Sequence, residues 1–255
     1  MKTISIFILT IFFTNSIQCM CSWNRLSAFP IGNTIKTNSI FVIDGYGESQ
    51  EVIKNINKKY AVCLKSNTSQ IKLIVKEIRV GQFSLTQAVL FPESPLIVGQ
   101  TYTLTIDSLP EYEYLNRWNE KEKQNELVTY TVIAGIDTIK PIFKVRPKEL
   151  KKTFIQYGCG PEINVKFSCP VLDSSEYLIK ATVKNLLTHK QSTYYVQADK
   201  KSIEIGHGMC SGAFDFGKGT AFEIEFSIMD ASGNYSTWKG NRIKFNKPTA
   251  ANTIR

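Results

Sequence analysis

The residues best equipped for chemistry cluster near position 210. Gly208-Met209-Cys210-Ser211-Gly212 is a G-x-C-x-G string beside His207. In an α/β-hydrolase, such a string forms a strained turn between strand and helix that lifts a nucleophile into the open. Here Phe214, Asp215, Gly217 and Gly219 follow and lead into strand-like residues, so the helix an elbow needs is not expected. His207, Met209 and Cys210 are soft ligands of the kind that suit copper. The chain has only 2 histidines and no paired C-x-x-C or H-x-x-x-H spacing, which argues against a built metal site. No catalytic residue, metal or cofactor is therefore expected. A hydrolase or a metal-handling periplasmic protein using Cys210 and His207 stands as the alternative.

Two further segments could recognise a ligand. Asp44-Gly45-Tyr46-Gly47-Glu48 places an aromatic ring between two glycines, either as a packed hairpin residue or as a recognition loop at one end of a β-structure. Tyr112, Tyr114 and Trp118 lie in the charged insertion Glu111 to Glu126. Aromatic rings among polar groups stack on sugars, so Tyr46, Tyr112, Tyr114 and Trp118 are the candidate binding residues. Asp230 to Asn234 offers one Asp and one Asn, short of the six to eight oxygens calcium takes. An Asx-type turn with Gly233 at positive φ explains that segment.

The 6 cysteines fit an oxidising compartment. Cys159 and Cys210 both sit in glycine-rich turns and form the preferred bridge; Cys21 to Cys63 is a second possibility. Lys2 followed by the apolar run Ile4 to Phe13 has the form of a secretory signal, too short for an ordinary membrane span. The signal is placed at 1–19. Ser16-Ile17-Gln18-Cys19 weakly resembles a bacterial lipoprotein box, so membrane attachment is expected only through lipid at Cys19.

These residues need strands to hold them. Tyr102, Leu104 and Ile106 alternate with threonines, Ile163, Val165 and Phe167 with polar residues, and Phe222 to Ile228 likewise. Period-two alternation marks half-buried strands. Strands are predicted near 38–44, 50–54, 59–65, 70–79, 82–91, 100–107 and 127–133. A second series falls near 141–146, 152–156, 161–168, 176–185, 191–197, 202–206, 220–229 and 241–246. Glu111 to Glu126, polar on nearly every side, is predicted as a short surface helix or a long loop. The organisation expected is an N-terminal segment 20–29, a first domain 30–136, a second 137–248 stacked on it end to end, and a tail 249–255.

Residues 88–107 (AVLFPESPLIVGQTYTLTID) resemble the closing half of a bacterial Ig-like domain, with its proline turn, glycine turn and Tyr-led strand. Phe226 to Asn234 resembles the D-x-x-G-N hairpin before the last strand of bacterial Ig-like and fibronectin-III-like modules. The resemblance implies an all-β fold of two tandem antiparallel Ig-like β-sandwich domains after a signal peptide. It also implies a non-enzymatic binding or spacer module, with a protein or glycan of the cell surface as partner. Past residue 137 the chain holds 18 basic and 10 acidic residues. A basic surface draws polyanions, but a solvated lysine-rich strand face accounts for the same residues, and no nucleic-acid partner is expected.

Overall fold

A computed structural model describes residues 24–199 and 201–252. The apolar N-terminal run, Cys19 and Cys21 fall outside the described residues. No helix among the described residues is long and apolar enough to cross a membrane.

The architecture is mostly β. The first half contributes β1 (Arg25–Phe29), β2 (Thr34–Lys36), β3 (Phe41–Tyr46), helix α1 (Gln50–Lys54), β4 (Val62–Lys65), β5 (Gln70–Val80), β6 (Leu85–Pro92), β7 (Thr101–Ile106), β8 (Asn116–Asn119), β9 (Gln124–Leu127) and β10 (Thr129–Ile133). The strand order is β1-β3-β6-β5-β4-β7-β10-β2. β5 belongs to two layers: Gln70 to Lys72 ladder with β4, and Leu73 onward ladder with β6. A bulge between Val75 and Glu77 lies within the β6 ladder, and an extra residue of this kind bends a strand. The layer β1-β3-β6-β5 thereby folds over β4-β7-β10-β2. Phe41, Ile43, Ala88, Leu90, Leu64, Tyr102, Leu104 and Tyr130 fill the space between them.

The second half contributes β11 (Ile142–Phe143), β12 (Lys148–Tyr157), β13 (Gly160–Ser168), β14 (Val171–Leu172), β15 (Tyr177–Asn185), β16 (Gln191–Gln197), β17 (Ser202–His207), β18 (Ala221–Asp230), β19 (Tyr235–Thr237) and β20 (Ile243–Asn246). A sheet β12-β13-β17 faces a sheet β16-β15-β18-β19 in which β20 also pairs with β18. Val165, Phe167, Ile205, Ile179, Phe222, Ile224, Phe226 and Phe245 fill the second core.

Three elements differ from the sequence reading. Residues 50–54 form helix α1, not a strand, because Val52 and Ile53 are buried side by side; adjacent apolar residues suit one stripe of a helix, not one face of a strand. Residues 116–127 form the hairpin β8–β9, not a helix or loop. The N-terminal segment supplies β1, which pairs along its whole length with β3.

The two halves also meet across sheet faces rather than end to end. Phe29, Ile40, Val42 and Val89 from the first half pack with Leu178, Tyr195, Met229 and Ala231 from the second. The layer carrying β6 is consequently covered on both sides, and Leu85 to Leu90 are all buried.

Candidate functional site

The outer face of the first layer is built in rows. The ladders place Phe29, Val42 and Val89 side by side, then Ser27, Asp44 and Gln87, then Arg25, Tyr46 and Leu85. The first row is apolar and belongs to the contact between the halves. Beyond it the surfaces diverge and the polar rows open into a cleft of about 630 Å³. Its far wall is the outer face of β13 and β17, with Glu162, Asn164, Glu204 and Gly206. Gly206 has a φ of +145°, and a side chain there would run into the Ile163 carbonyl, so the wall is bare backbone at that one position. The turn before β6 closes one side: Gln82 and Ser84 donate their N–H groups to the carbonyls of Ala213 and Gly212 at 2.9 and 3.1 Å.

The four aromatic residues expected to bind lie here. Tyr46 and Trp118 line the cleft, Tyr46 from the end of β3 and Trp118 from β8. Tyr112, Tyr114 and Trp118 line an adjoining depression of about 250 Å³, which shares Arg25, Asn116 and Trp118 with the cleft. Trp118 is 47% exposed and stands between the two hollows.

The charged residues of the cleft escaped the sequence reading. Arg25 is exposed at the rim, and Arg117 is half-buried with its guanidinium 5.3 Å from the centroid of Tyr130. Asp44 is partly exposed and accepts a hydrogen bond from Gln87 Nε2 at 2.8 Å. Burial pushes its carboxyl up to about 6, against the opposing pull of Gln87 and Arg25. Burial, with Asp44 beside it, also raises the Tyr46 hydroxyl. The signal in the sequence is a period-two polar face on residues 25–29 and 44–46, short and separated by 14 residues of chain.

The 207–212 segment is a turn leading, without a helix, toward β18. His207 is buried and stacks on Phe83 with ring centroids 4.1 Å apart. Its Nδ1 lies 2.7 Å from the Gly208 carbonyl. Cys159 and Cys210 are disulfide-bonded, so Cys210 offers no thiolate. Cys63 is a buried free thiol, not bridged to Cys21. Cys169 is likewise free, its thiol pushed up to about 12 by burial.

Asp137, Asp173 and Asp230 bring one carboxylate oxygen each to within 4.8 Å of one another, a convergence of distant segments that local spacing cannot reveal. Lys36 Nζ sits 3.0 Å from Asp137, and Ser175 donates to the same oxygen at 2.5 Å. Asp230 accepts the N–H groups of Ser232 and Asn234, each at 2.8 Å, with Gly233 at a φ of +80°. That is the Asx-type turn expected there. The cluster ties residue 137, where the halves join, to Lys36 on one side and to Ser175 on the other.

No family profile matches this chain. Zinc finger protein 346 of Pongo abelii is 32% identical over 87 residues, covering 33% of this chain and 28% of that protein. The chain therefore spans under a third of that relative. Pullulanase type I from Bacillus subtilis, solved with maltose, aligns over 87% of this chain and 24% of its own, with 12% identity and a TM-score of 0.27. The tandem Ig repeats of Dlar align over 86% of this chain and 97% of theirs, with 7% identity and a TM-score of 0.24. At such scores neither likeness carries weight, and the β architecture rests on the hydrogen-bonded ladders themselves.

Proposed function

We propose that this protein is an exported, non-catalytic binding module that holds a glycan of the cell surface in the cleft between two tandem Ig-like β-sandwiches, the first running from β1 to residue 136 and the second over 137–248. On this reading residues 1–19 are its signal peptide and Cys159 pairs with Cys210. One observation carries the glycan assignment: Tyr46 and Trp118, singled out by residue type alone, stand in one cleft, with Tyr112 and Tyr114 in the hollow beside it. A ring presented among Asn and charged groups suits a sugar, whose apolar ring face stacks while its hydroxyls hydrogen-bond.

Glycan-array binding by the mature protein tests the assignment. Trp118→Ala is expected to abolish binding, and Tyr46→Ala to weaken it. Unchanged binding by both variants would remove the cleft from consideration. Export is tested by sequencing the N-terminus of protein recovered from the envelope and the medium; an intact Met1 there would contradict it.

A further inference from the structure

Resting on the glycan reading of the cleft, we infer that its ligand is an acidic sugar whose carboxylate sits between Arg25 and Arg117. The bridge between Leu26 and Leu115 sets β1 beside the segment that leads into β8, and both arginines line the cleft. Neither forms an ion pair with a carboxylate of the described residues. Arg117 is held by the Tyr130 ring, by a hydrogen bond to the Tyr130 hydroxyl, and by one from Nη2 to the Pro30 carbonyl at 3.4 Å. Its remaining donors are left for a partner. A guanidinium fixed in this way matches a carboxylate with two parallel hydrogen bonds and loses little freedom in doing so.

The acids of the cleft already have partners. Asp44 accepts from Gln87 at 2.8 Å, Glu162 from Asn164 at 3.4 Å, and Glu204 lies 3.6 Å from Lys166 Nζ. Glu162 and Glu204 also belong to the opposite wall. Trp118 lines the same cleft, so a pyranose stacked on it lies in the hollow that the two arginines also line.

The probes are trigalacturonate, its methyl ester, and tetraglutamate as a sugar-free source of carboxylates, titrated calorimetrically into the mature protein. Trigalacturonate is expected to bind at least about tenfold more tightly than the ester, the effect of one charge-assisted pair. Arg117→Gln should bring the affinities for acid and ester together. Arg25→Gln, at an exposed position, should narrow the ratio without affecting the fold. Equal binding of acid and ester would overturn the carboxylate inference and leave the glycan reading standing. Binding of tetraglutamate with neither sugar bound would overturn both, as would no binding at all.

Discussion

Gln87 is the side chain through which the two halves exchange hydrogen bonds at their most buried point. It is 1% exposed. Its Oε1 accepts the Tyr195 N–H at 2.7 Å, and its Nε2 donates to the Tyr195 carbonyl at 3.1 Å and to Asp44 at 2.8 Å. Tyr195 lies on β16, at the edge of its sheet, so one amide side chain stands in for the missing neighbouring strand. Gln87→Ala would strand a buried N–H and a buried carbonyl, and is expected to cost about 2–4 kcal/mol. Urea unfolding measures it, and a loss below about 1 kcal/mol would show that water replaces the amide. Asp44, at the other end of this chain, carries a pH dependence of opposite sign to most acids. Its folded pKa is raised from 3.8 to about 6, burial being the cause. Above that value the native state must keep a desolvated carboxylate ionised. As pH falls from 7 toward 4 the native state takes up the proton first, and this group's contribution to stability rises. Asp44→Asn should flatten that segment of the stability profile and stabilise the protein above pH 6 by on the order of 1–2 kcal/mol, allowing for partial exposure. A variant that keeps the wild-type slope between pH 4 and 7 would assign it to another group.

At the scale of the element, legibility followed solvation. β7 and β18 show their alternation plainly because one face is polar. β6 hides its role, since Thr86 and Gln87 are as buried as Val89 and Leu90; Thr86 bonds Gln50 within the first half, while what buries Gln87 and Val89 lies in the other half of the chain. β8 and β9 are mostly polar and pair chiefly with each other, so no apolar period marks them. That is why Trp118 was legible as a residue type while the strand presenting it was not, and why Arg117 on the same strand went unread. The paired glycine turns were legible. The β12–β13 turn and the loop after β17 are neighbours, for a side chain on Gly160 would sit 3.7 Å from the Met209 carbonyl. Cys63 and Cys169 are free, so the bonded sulfurs of Cys159 and Cys210 have one another, Cys19 or Cys21 as partners. Cleavage after residue 19 leaves Cys21 alone, and one sulfur cannot serve both. Non-reducing peptide mapping of the mature protein is therefore expected to yield a linked Cys159–Cys210 peptide; either cysteine found joined to Cys21 would refute the pairing. Replacing both by Ala should cost about 2–4 kcal/mol.

For the molecule as a whole, the contact between the halves decides both cooperativity and binding. Each half has its own core, which alone would allow two independent unfolding transitions. The apolar cluster of Phe29, Ile40, Val42, Val89, Leu178, Tyr195, Met229 and Ala231 joins them, and without it the layer holding β3 and β6 would expose its outer face. Separating the halves would place Val42 and Val89 in water, at roughly 1.5–3 kcal/mol for each fully buried side chain. The wild-type protein is thus expected to unfold in one transition, with tyrosine and tryptophan signals coincident. Val89→Lys sets a charge in the middle of that cluster, on a side chain 3% exposed. It should split unfolding into two steps while leaving the β signature of each half intact. The same substitution should also weaken ligand binding, because Arg25 and Trp118 come from one half while the wall that encloses them, with Glu162 and Glu204, comes from the other. Two transitions in the wild type would mean that the halves are held together by the connection at residue 137 and its aspartates alone. Full affinity in a Val89→Lys protein that unfolds in two steps would confine the binding surface to a single half.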